Sequence, residues 1–264
     1  MASTYCPSNN IHHIRSSSLT SISHPSTIQV EDKICKLKTW EASTSTTPTA
    51  DAICRGLLSL QGLYDCVDDL LTLPSTQQAL TQNRYMKFSN ELLDQSISLL
   101  DVCGSLRDLL SEVKENVRDV QSAVRRRKDD VRVTTSFIKK LKKDFRKAIS
   151  SLKHIDDKIG GMPLLDRDHL LSSVARVLRD VTVVSTSVFR SLLLLLSGSV
   201  AKSKTTRWSV VSNMIPKGTV ENKDQLQVFN EELQRHNEEI ENGLECMFRR
   251  LIKTRASLLN ILSN

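Results

Sequence analysis

The stretch ELLDQSISLLDVCGSLRDLLSEVKENVRDVQSAV, residues 91–124, decides the fold. Within it Leu92, Leu99, Cys103, Leu106, Leu110, Val113, Val117, Val120 and Val124 step by four and three, and only Ser96 breaks the series. That spacing keeps one apolar stripe on one side of a long helix, which must lie against other helices to bury it. The helix is predicted from about Arg84 to Lys128, about 65 Å long unless it kinks near Gly104.

The same period recurs on both sides of this stretch. Upstream, Val30, Ile34 and Leu37 mark a short amphipathic helix reaching Trp40 and Glu41, followed by a Ser/Thr/Pro linker from Ser43 to Thr49. Thr49 is placed to cap the next helix, whose stripe is Ile53, Leu57, Leu60, Tyr64, Val67 and Leu71. Pro74 stops or bends that helix, and Thr76 to Leu80 form a short connecting element. Downstream, Thr134, Ile138, Leu141, Phe145, Ala148, Leu152, Ile155 and Ile159 give a further stripe, ended by Gly160, Gly161 and Pro163. Asp166 is the expected cap of a helix carrying Leu170, Val174, Val177, Val181, Val184 and Val188 and closing at Gly198. The last helix is expected from about Lys223 to Leu262, its stripe interrupted by His236 and Thr254.

These elements specify an all-α protein: an elongated bundle of about five to six long antiparallel helices, without the fixed-period repeat of a solenoid. The expected organisation is a disordered Ser/Thr-rich tail over residues 1–27 and one α-helical domain over 28–264. Within that domain lie a linker at 42–49 and a basic crossover at 199–221. Composition agrees, because Gly (8) and Pro (6) are scarce and aromatics make up only 4% of residues, leaving an aliphatic core. The apolar run Val181 to Val200 is interrupted by Arg190 and several hydroxyl residues. It reads as a buried bundle helix rather than a membrane span.

The net charge of +7 is concentrated in Arg125–Lys147 and Lys202–Arg207. Such runs are commonly solvated faces, and their functional reading is a docking face for an acidic protein or an anionic membrane surface. Arg125, Arg126, Arg127, Lys202, Lys204, Arg207 and Trp208 are the candidate docking residues. Nucleic acid is disfavoured, because the first cluster has no interleaved aromatics for base stacking. The tail places Arg15 three residues before Ser18, so Ser16, Ser17 and Ser18 are candidate phosphorylation sites. Residues 1–30 hold one Arg, three His and no Asp or Glu, which leaves an ordinary tail and an organelle-targeting segment as alternatives.

Chemistry is harder to find. Six cysteines are scattered without a C-x-x-C pair, which points to a reducing compartment, and His12 and His13 have no neighbouring ligands. Phosphate-cradling, nucleophile-elbow and zinc-helix motifs are all missing. The sequence assigns no catalytic residue, no metal ligand and no cofactor.

Several strings carry a family resemblance. They are Arg15–Leu19 with Ser23-His24-Pro25, Leu37-Lys38-Thr39-Trp40-Glu41, Leu63-Tyr64-Asp65-Cys66-Val67-Asp68-Asp69-Leu70-Leu71, and Leu73-Pro74 with Thr76-Gln77-Gln78-Ala79-Leu80. Leu100-Asp101-Val102-Cys103-Gly104, Arg125-Arg126-Arg127 and Trp208-Ser209-Val210-Val211-Ser212 continue them. Together they resemble the land-plant BYPASS-like proteins over nearly the whole chain. The resemblance implies a plant protein connected with root and shoot development and with restraint of a mobile signal, and for some members a chloroplast location. The resulting expectation is a non-enzymatic scaffold or regulator, cytoplasmic and peripheral to membranes, with the chloroplast as the alternative. It would act on an unidentified protein partner. The competing reading is an enzyme or carrier for a small apolar metabolite held inside the bundle. Homodimerisation stays open, because heptads are satisfied equally well within one chain or between two.

Overall fold

A computed structural model describes residues 24–44, 48–82, 86–126, 131–160, 169–201 and 221–263. They form α1 (Pro25–Thr44), α2 (Ala50–Thr72), α3 (Pro74–Thr81), α4 (Met86–Arg126), α5 (Val131–Gly160), α6 (His169–Ala201) and α7 (Glu221–Ser263). No strand occurs among the described residues. At 41 and 43 residues, α4 and α7 each rise about 60 Å, so the bundle is long along its axis, and α4 runs through Gly104 without interruption.

The expected stripes are the core. Ile53, Leu57, Leu60, Tyr64, Val67 and Leu71 of α2 are all buried, as are Leu92, Leu99, Cys103, Leu106, Leu110 and Val113 of α4. Leu141 to Ile159 of α5, Val174 to Val188 of α6 and Ile240 to Ile261 of α7 complete it, whereas the side chains of Val117, Val120, Val124, Thr134, Ile138 and Leu170 lie outside the described residues.

Cross-helix contacts fix the directions. Cys103 faces the Leu244 carbonyl, Arg107 pairs with Glu245 and Lys114 with Glu241, so α4 and α7 are antiparallel. Asp65 meets Arg250 and Asp68 meets Thr254, so α2 and α7 run parallel. Glu31 pairs with Arg176 and Lys38 with Asp180, which sets α1 parallel to α6. Helices α2, α7, α4 and α6 pack in a closed square, with α1 against α2 and α6 and α5 against α4 and α6. Consecutive long helices thus alternate in direction, and α3 makes the corner between α2 and α4.

Because α6 is packed among four long helices, it is buried on every side from Val184 to Phe189. Three of the hydroxyls that interrupt its apolar run are satisfied within the helix: Thr182 donates to the Leu178 carbonyl, Ser185 to Val181 and Thr186 to Val183. No helix among the described residues is long and apolar enough to cross a membrane.

Three expected boundaries move. Helix α1 begins at Pro25, ahead of the expected domain start, because the His24 carbonyl accepts from Thr27 and Ile28 and its Nδ1 accepts from the Ser26 amide. It also continues into the expected linker to Thr44, where the Ser43 and Thr44 hydroxyls both donate to the Trp40 carbonyl. Helix α6 passes Gly198 and ends at Ala201, within the expected crossover. Thr49 caps α2 as expected, accepting from the Ala52 amide at 3.2 Å, and Pro74 opens α3 at its first turn.

Candidate functional site

At the centre of the four-helix square, α2, α4, α6 and α7 each present a hydroxyl to the same space. Tyr64, Ser96, Thr182 and Thr254 line it among aliphatic side chains, three residues from each helix, around about 40 Å3. That volume admits roughly three waters and no metabolite. The hydroxyls also have partners in the protein. Ser185 donates to Val181, so the Tyr64 hydroxyl, 3.1 Å away, donates to Ser185. Burial pushes the Tyr64 phenol well above its usual range, so it stays a neutral donor.

Beside this space lies a second polar cluster. The Thr254 hydroxyl donates to buried Asp68 at 2.9 Å, and Lys253 approaches the other Asp68 oxygen at 3.0 Å. The same carboxylate holds the Lys253 ammonium above its ordinary value. One turn away Arg250 donates to Asp65. On the opposite side of α7, Arg255 donates to the Leu93 carbonyl at 2.6 Å and to Ser96 Oγ at 2.9 Å. Each of these groups ties α7 to a neighbouring helix. Carboxylate, hydroxyl and ammonium here form a latch between α2 and α7.

Thiols behave similarly. Burial is the main cause that pushes both Cys103 and Cys54 up to about 12, with a hydrogen bond to Glu239 adding to the effect at Cys54. Both are therefore protonated and weakly nucleophilic at neutral pH. Cys35, Cys54, Cys66, Cys103 and Cys246 are free thiols, and no cluster of metal-ligating side chains occurs among the described residues.

The residues singled out from sequence are not brought to this centre. Arg125 and Arg126 occupy the last turn of α4, and Ser16, Ser17, Ser18, Arg127, Lys202, Lys204, Arg207 and Trp208 lie outside the described residues. Asp156 of α5 pairs with Arg190 of α6. Sequence reasoning missed the Asp68–Thr254 contact, although its trace was present as the one hydroxyl residue interrupting the α7 stripe near the C-terminus. It also missed the clasp in which Trp40 Nε1 donates to the Ala52 carbonyl at 2.9 Å while the indole lies over Gly56. A Cβ on Gly56 would stand 2.5 Å from that ring, so the close approach of α1 to α2 requires glycine there.

Comparison with known proteins adds one finding. No curated protein and no solved structure matches the chain. A family model described as Protein BPS1 matches residues 56–261, from within α2 to the last turns of α7, and so covers the closed square, the Asp68–Thr254 latch and both flanking helix contacts of α7. The chain belongs to the BPS1, or BYPASS, family.

Proposed function

We propose that this chain is a non-enzymatic plant regulator that works as a helical scaffold, docking a partner protein on the outside of its bundle during root and shoot development. The observation that carries this reading is the contrast between the nearly filled centre of the square and the apolar side chains exposed on its outside. About 40 Å3 remains at the centre of the square, whereas ligand pockets usually run to about 300 Å3 or more. Large aliphatic side chains such as Leu58, Ile97, Ile252 and Leu259 stand at the surface instead. Family membership supports a regulatory role, and the latch chemistry described above supports a structural one for the buried polar groups. The proposed setting is the cytoplasm, at the periphery of membranes.

Proximity labelling in plant cells, with the tag on the C-terminus so that the N-terminal segment stays free, tests the reading. The expected result is a reproducible set of cytosolic or membrane-peripheral proteins. Recovery of plastid stromal proteins with a shortened N-terminus would move the protein to the chloroplast. A stoichiometric small molecule in native mass spectrometry, with no protein set, would overturn the scaffold in favour of a carrier.

A further inference from the structure

The outer seam between α4 and α7 is apolar, open and edged by acid. On α7, Ile252 lies one heptad after Glu245 and one turn after Phe248, both of which face Arg107 of α4, and Leu259 lies one heptad further. On α4, Ile97 lies one heptad before Gly104, whose Cβ position looks onto Phe248 at 3.8 Å. Helical register therefore places all three on the mutual outer edge of the two helices. They are 45%, 48% and 42% exposed for Ile97, Ile252 and Leu259, above a partly buried floor that includes Leu93, Leu100 and Phe248. Arg107, stacked 5.0 Å over Phe248 and paired with Glu245, bounds the apolar floor on the side toward Asp108.

The α4 rim of this groove carries Asp94, Asp101 and Asp108, spaced by heptads and all exposed. None of them is ion-paired among the described residues. The opposite rim carries Arg249 and Lys253, which are already engaged by Glu245 and Asp68. From these facts we infer that the α4–α7 seam is a docking groove for an amphipathic helix of a partner protein, with an apolar stripe and a basic flank over α4. This inference rests on the scaffold reading and specifies its partner.

The charge pattern selects this occupant. In a second copy docked seam to seam, the cations of the facing α7 rim, Arg249 and Lys253, are already engaged by Glu245 and Asp68. An anionic membrane is repelled by the same row. A helix bearing Lys or Arg beside its stripe meets the carboxylates with opposite charge and gains register from their heptad spacing.

The test uses the full chain and two synthetic amphipathic peptides that share one leucine stripe at i, i+3, i+4 and i+7, one flanked by lysines and the other by glutamates. Fluorescence anisotropy is expected to show saturable, salt-sensitive binding of the lysine peptide. Because the three carboxylates supply the opposite charge, the triple variant D94N/D101N/D108N should bind it about tenfold more weakly. The variant I97S/I252S/L259S should lose it, with an unchanged circular-dichroism melt. Equal binding of both peptides, no saturable binding, or binding indifferent to both variants would overturn the inference. So would a concentration-dependent dimer in sedimentation velocity that the serine variant abolishes, which would assign the groove to a second copy. If proximity labelling still recovers its protein set from the serine variant, the groove assignment falls and the scaffold stands. If no set is recovered from the wild type, the scaffold itself falls.

Discussion

Along its α2 flank, α7 comes so close that a Cβ on Gly243 would meet Leu57 at 3.0 Å, and Asp65 and Asp68 reach across to Arg250 and Thr254. Along its outer α4 flank the same helix leaves Ile252 and Leu259 near half exposure, beside carboxylates that form no ion pair among the described residues. One flank is finished within the chain and the other is not. The difference teaches that burial and latching, rather than hydrophobicity alone, separate the structural surface of this bundle from the surface available to another protein.

The comparison breaks most severely at the finished flank. Leu57 is almost fully buried against Gly243, so Leu57→Ala is expected to destabilise the fold by about 2–5 kcal/mol in urea unfolding, through lost burial and the cavity left behind. A loss below about 0.5 kcal/mol, typical of surface sites, would show that α2 and α7 are not closed on each other. Thr254→Val keeps the volume but removes the donor to buried Asp68, with an expected cost of about 1–3 kcal/mol.

Alkaline pH probes the α4–α7 contact from inside, through Cys103, which faces the Leu244 carbonyl. Below the thiol's ordinary value of 9.0 both folded and unfolded chains are protonated there. Above it the unfolded chain releases a proton that the folded chain keeps until about 12. The unfolded state then binds fewer protons, so stability falls as pH rises, by up to about 1.4 kcal/mol per unit for this thiol. Half-exposed Cys54 adds a smaller effect of the same sign. Urea unfolding on either side of pH 9 should show this decline, and Cys103→Ala should flatten it. A slope unchanged by that substitution would place its origin elsewhere. The smallest stability effect is expected at the open flank, where Ile252→Ser should change unfolding by no more than about 0.5 kcal/mol.

The sequence made the helices legible because each stripe obeys the same period, and the stripes of α2, α4 and α6 are buried where they were expected. Helix partners were less legible for the same reason, since a heptad stripe does not say which other stripe it meets. The α4–α7 groove could be seen only after Gly104 was found opposite Phe248, and the Asp68 latch only after α2 was found beside α7. Boundaries at His24 and Thr44 depended on single side-chain bonds to the backbone that periodicity does not register. Thr182, Ser185 and Thr186 of α6 looked like interruptions of an apolar run, yet they close onto their own helix and leave that segment fit for burial.

The central claim is that α7 is structural on one flank and a docking surface on the other. It is tested most directly by comparing wild type with I97S/I252S/L259S in one pair of measurements, the thermal melt of the purified chain and the proximity-labelled protein set in plant cells. The account predicts an unchanged melt and loss of the protein set. A retained set, or a melt lowered as far as that of Leu57→Ala, would contradict it.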